Sequence, residues 1–252
     1  MRFHVVKRDN CPLWKKLGLY LLAVAVALTL GGLVLLALDV DPMAYYSRMF
    51  TMGMVGNKIA YKTFENYLKV FVPLALTSVA LSLAFKMRFW NIGGEGQFIL
   101  GAIAAATVAF KLGSALPAPL TLILMCLAAM LAAGLYGALV AVLKVKFGTN
   151  ETLMTLMLNY IALYFVTFLG ETQADWNFFL SEQSARPTFA SFGKIVAFPK
   201  FAIGKFDLNL CVILAFVIGV LLYLYLKYTK HGYEIAVVGD SVGTARYAGM
   251  KV

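Results

Sequence analysis

Two short stretches hold most of the polar side chains that this apolar chain could use for chemistry. In FWNIGGEGQFILG, residues 89–101, Asn91, Glu95 and Gln97 stand among glycines. In TNETLMTLMLNYIAL, residues 149–163, Glu151, Thr155, Asn159 and Ala162 recur on one helical face, with Thr152 beside them. Polar groups at lipid depth either bond to neighbouring helices or line a water-filled path. Glu95 and Glu151 are the carboxylates placed for proton coupling. GG-E-G is not a phosphate loop, because no Lys-Ser/Thr follows it. No nucleophile–base pair stands out. His4 and His231 are far apart, and Cys11, Cys126 and Cys211 are isolated, so the expectation is no metal site, no catalytic residue and no disulfide framework.

The elements that must position these residues are membrane spans. A composition 62% hydrophobic and 13% charged over 252 residues carries too little charge to cover a soluble domain. The net charge of +10 comes from lysines and arginines in the gaps between apolar runs, which is how membrane orientation is set. No nucleic-acid partner is expected.

A helix needs about 20 apolar residues to cross the hydrocarbon core. Six runs qualify: Leu17–Leu38, Val70–Phe85, Phe89–Phe110, Leu120–Leu143, Thr152–Leu169 and Leu208–Leu226. The first is too long for a cleavable signal peptide and reads as a retained helix. With the N-terminus inside, 13 of the 22 lysines and arginines fall in the inner segments, which agrees with cytoplasmic termini. The expected layout is a cytoplasmic N-terminus over 1–16, a transmembrane domain over 17–226 with a partly structured external loop at 170–207, and a cytoplasmic segment over 227–252. Small residues four apart, at Ala129, Ala133, Gly137 and Ala141 and at Gly101, Ala105 and Ala109, predict close helix packing.

The second and third runs are the flawed ones. From Phe98 to Lys111 there are 13 uncharged residues, about 20 Å of helix, which is too short to span. Either Lys111 snorkels and the helix runs on, or the helix starts near Phe89 and draws Asn91 and Glu95 into the membrane. Short, glycine-interrupted segments point to broken helices around a transport path. The competing reading is a plain turn, with Gly93-Gly94 reversing the chain and Glu95 favouring the next helix start.

In the tail KYTKHGYEIAVVGDSVGTARYAGMKV, Asp240 or Ser241 is placed to cap a helix across Val242–Ala248, with Gly249 ending it. Three stretches in order, FWNIGGEGQFILGAIAAA, GTNETLMTLMLNYIA and HGYEIAVVGDSVGTARYAG, resemble the permease subunits of ABC importers for nucleosides and simple sugars, in the branched-chain amino acid/ribose-type family. The resemblance covers roughly residues 68–252. Ala236 stands where the family often has arginine, and Ser241-Val242 where Asn-Pro is common.

What the resemblance implies is an all-helical polytopic bundle in the bacterial plasma membrane, multi-pass, without covalent chemistry. Its implied partners are cytoplasmic ATPase subunits, a second permease subunit, an extracytoplasmic substrate-binding protein and lipid. ATP would be used on the partner, with no cofactor in this chain. The coupling segment would include Gly232, Tyr233, Glu234, Gly239, Ala245, Arg246 and Gly249. Family chains continue through further membrane segments, so a chain ending at Val252 reads as the N-terminal part of a longer permease. The expected path residues are Asn91, Glu95, Gln97, Thr155 and Asn159, with Glu95 a gate or anchor. The alternative is an ion-coupled secondary transporter of a small polar solute.

Overall fold

The computed structural model describes residues 12–52, 60–181, 186–192, 196–204, 206–250 and 252, so most of the basic N-terminal segment expected over 1–16 lies outside the described residues. The chain divides into two compact units, residues 1–66 and 67–252. In the first, α1 (Leu13–Ala37) turns through Asp39, whose φ is 57°, into α2 (Pro42–Phe50). The Asp41 carboxylate caps α2 by accepting from the Met43 N–H at 2.9 Å.

The second unit holds most of α3 (Ala60–Lys86), then α4 (Gly94–Leu112), α5 (Ala118–Phe147) and α6 (Glu151–Glu171). A hairpin of β1 (Lys200–Ile203) and β2 (Phe206–Asn209) leads into α7 (Leu210–Tyr228), followed by α8 (Lys230–Asp240) and α9 (Val242–Tyr247). Among the described residues, six helices, α1 and α3–α7, are long and apolar enough to cross a membrane. Their large side chains are mostly exposed, as suits a lipid-facing surface.

The helical class and the six spans hold, with small corrections. The second span is not short: α3 has 27 residues, and its first turns, rich in Lys62, Glu65 and Asn66, hide it from a hydropathy reading. The third begins at Gly94 rather than Phe89, and it gains length by carrying Lys111 inside the helix. Strands occur in the 170–207 region, which the helical reading did not foresee, together with an isolated bridge between Leu180 and Phe189. That region is tied to the helix ends. Asn177 donates to the Leu169 and Thr172 carbonyls, both at 2.7 Å, and Phe110 stacks on Phe192 with centroids 4.8 Å apart.

The α4–α5 contact is the most extensive among the described helices. A Cβ at Gly101 would lie 3.3 Å from the Ala129 carbonyl oxygen and 3.5 Å from the Ala133 Cβ, so the two small-residue faces meet as their spacing predicts. Tyr136 then fastens α5 to α6 by donating to the Leu158 carbonyl at 2.8 Å. A separate cluster of Val72, Val212 and Ala215 joins α3 to α7. Gly101→Leu should therefore destabilise the bundle by about 1–3 kcal/mol in detergent unfolding. Gly134→Leu, at a position open to 4 Å, should change it by less than about 0.5 kcal/mol.

Candidate functional site

The site grows from the way α3 ends. Arg88 adopts φ 55°, while the Arg88 N–H bonds the Phe85 carbonyl at 3.0 Å and the Phe89 N–H bonds the Ala84 carbonyl at 3.0 Å. This pattern of crossed bonds closes a helix through a left-handed residue, usually glycine. The chain then runs through a non-helical elbow, Phe89–Gly93, before α4 starts at Gly94.

An elbow between two spans exposes backbone groups that need partners, and α6 supplies them. Asn159 works in both directions: its Nδ2 donates to the Ile92 carbonyl at 2.8 Å, and its Oδ1 accepts from the Gly96 N–H at 2.8 Å. The Thr155 hydroxyl oxygen accepts from the Ile92 N–H at 3.2 Å and donates within its own helix to the Glu151 carbonyl at 2.8 Å. Within the elbow, buried Asn91 accepts from the Gly93 N–H at 2.9 Å and donates to Gln97 Oε1 at 3.5 Å. Gly96 must be a glycine here, since its Cβ would lie 2.9 Å from Asn159 Oδ1.

An ion pair continues the line. Lys144, in the last turn of α5, meets Glu151 at 2.6 Å and lies over the Phe89 ring at 4.9 Å from its centroid. The α6 cap is Asn150, accepting from Thr152 and Leu153 N–H at 3.0 and 3.3 Å, which leaves the Glu151 carboxylate to Lys144. Of the five residues expected on a path, the structure brings together Asn91, Gln97, Thr155 and Asn159. Glu95 is exposed in the first turn of α4, away from that network. Lys144 and Phe89 escaped the sequence reading. Their signal was a lysine one short turn before Glu151, across Gly148-Thr149-Asn150.

The tail docks on the end of α3, just before the elbow. A Cβ at Gly239 of α8 would overlap the Lys86 carbonyl, and one at Gly232 would overlap the Leu226 carbonyl. These two glycines let α8 lie directly on the ends of α3 and α7. Helix α8 itself went unforeseen. Thr229 starts it by accepting from the Gly232 N–H at 3.1 Å. Ser241, rather than Asp240, caps α9 by accepting from the Thr244 N–H at 3.2 Å, and Gly249 ends it at φ 75°. Among the coupling residues, Gly232, Gly239 and Ala245 are buried, whereas Tyr233 and Arg246 face outward. Glu234 is held by Lys230 at 3.8 Å and His231 at 3.3 Å.

A family model described as branched-chain amino acid transport system / permease component matches residues 63–252. The chain belongs to that permease family. It is 33% identical over 253 residues to a glucose ABC transporter permease protein of Haloferax volcanii, a match covering 96% of this chain and 63% of the relative. A guanosine ABC transporter permease protein of Bacillus subtilis is 28% identical, covering 92% and 64%. A nucleoside ABC transporter permease protein of Lactococcus lactis is 26% identical, covering 94% and 64%. The chain thus spans a little under two thirds of the length of these relatives. No solved structure matches it.

In this permease-family chain the polar stripe of α6 therefore supports the elbow, and one substitution tests that. Asn159→Leu leaves the Ile92 carbonyl and the Gly96 N–H unpaired. It should cost about 2–4 kcal/mol in unfolding and speed amide exchange across residues 92–97. Glu95→Gln should leave both unchanged.

Proposed function

We propose that the chain is part of the membrane permease of an ATP-driven importer for a nucleoside or a simple sugar. The observation that carries this reading is its similarity, over 92–96% of its own length, to relatives named as glucose, guanosine and nucleoside permeases. Members of one cargo group share polar, hydroxyl-rich substrates. On this reading ATP is hydrolysed on a separate cytoplasmic subunit, a second permease subunit completes the path, and an extracytoplasmic binding protein delivers the cargo. The α8–α9 end then faces the cytoplasm together with the N-terminus.

The path and coupling roles divide as the geometry suggests. Gln97 borders an apolar cavity of about 410 Å³ between α3, α4 and α5, along with Thr77 and Gly101. We assign the path to this cavity and its polar inner end, with exposed Glu95 as a gate. Asn91, Thr155 and Asn159 act as positioning residues that hold the elbow in place. The ATPase contact falls to outward-facing Tyr233 and Arg246, while Gly232, Gly239 and Ala245 keep α8 and α9 packed and Gly249 ends α9. The ion-coupled alternative needs a carboxylate at mid-span. Glu95 and Glu151 instead lie in the first turns of α4 and α6.

The test uses the complete transporter in membrane vesicles. Nucleoside or sugar uptake should require ATP and survive collapse of the ion gradients. Tyr233→Ala combined with Arg246→Glu should lower co-purification of the ATPase on the order of tenfold, the loss expected when central interface residues go. Uptake that follows the ion gradient without ATP, or an unchanged ATPase yield, contradicts the proposal.

A further inference from the structure

We propose that α2 is an interfacial helix whose apolar face inserts into the acyl boundary of the bilayer beside α1. The depth of α1 fixes the level at which α2 lies. Lys15 and Lys16 mark one membrane face, and a hydrocarbon core of about 30 Å is crossed in about 20 helical residues, so the opposite boundary falls near residue 36. Helix α2 does not continue away from that boundary. It folds back along α1: the Tyr46 hydroxyl donates to the Leu28 carbonyl at 2.8 Å, and a Cβ at Gly32 would lie 3.6 Å from the Pro42 Cβ. Gly32 is about 6 Å below the boundary and Leu28 about 12 Å below it. A helix packed at that level occupies the depth of about 5–10 Å at which amphipathic helices bury their apolar faces.

The sequence of α2, PMAYYSRMF, matches that placement. At 3.6 residues per turn Met43, Tyr46, Met49 and Phe50 share one side, while Ala44, Ser47 and Arg48 share the other. Tyr46 is spent on α1. Its neighbours stay bare within their own unit, with Met43 79% and Phe50 67% exposed. Water is a costly environment for three large apolar groups, Met43, Met49 and Phe50, on a nine-residue helix. Acyl chains are already beside them. Arg48, on the opposite side, is set at headgroup level, where lipid phosphates would meet it.

The test reads which medium touches each face in the full chain, reconstituted in phosphatidylcholine vesicles. With Cys11, Cys126 and Cys211 replaced by serine, single cysteines at 43, 44, 47, 48, 49 and 50 carry a nitroxide label. All six side chains are exposed, so the labels leave α2 packed on α1. Labels at 43, 49 and 50 should collide with oxygen more often than those at 44, 47 and 48. Their collisions with a water-soluble nickel chelate should be at least about threefold fewer. Equal nickel access at all six positions would place α2 in water and overturn the proposal. Shielding of 43, 49 and 50 from both reagents would overturn it too, by showing that protein covers the face.

Discussion

Asn159 is the residue on which the second unit turns. Two spans that meet through a non-helical elbow leave backbone amides and carbonyls without helical partners, and lipid offers them none. A carboxamide carries its donor and its acceptor on separate atoms of one uncharged, planar group. Asn159 uses the pair to take the Ile92 carbonyl on one side of the elbow and the Gly96 N–H on the other. No aliphatic residue could do both, and a charged one would carry a large desolvation penalty.

The rest of the stripe follows from register. Residues four apart on a helix advance about 6.0 Å, and two residues of non-helical chain span up to about 7 Å. Glu151, Thr155 and Asn159 therefore keep step with the elbow. Thr155 reaches Ile92, Asn159 reaches Ile92 and Gly96, and Lys144 bridges Glu151 to the Phe89 ring. Through Gly239, α8 rests on the Lys86 carbonyl, at the end of α3 just before the elbow. On the proposed function, this run of packed backbone and hydrogen bonds would couple tail to path.

Much of this was legible in the residues. Polar side chains at helical spacing in an apolar run announced α6's special face, and small residues four apart announced the α4–α5 contact. Ser241 and Gly249 announced α9. What stayed hidden was turn chemistry and length. Asp39 and Arg88 close α1 and α3 in the left-handed region, where glycine is the expected sign, so hydropathy alone placed those ends, within one residue of Ala37 and Lys86. The polar first turns of α3 hid the length of that span, which made the flanks of the elbow look more broken than they are. The sequence offered two meanings for FWNIGGEGQ, a turn or a helix break. The structure combines them: a turn by position, held by its own dedicated partners.

The α6 stripe, the elbow and the docked tail should act as one cooperative unit. A double-mutant cycle between Asn159→Leu and Gly239→Ala, with reversible unfolding as the readout, measures this. Asn159 holds the elbow and Gly239 the end of α3 that leads into it, so the two should couple by about 1 kcal/mol or more. Effects that add to within about 0.3–0.5 kcal/mol would show that tail and stripe act independently, and would contradict the account.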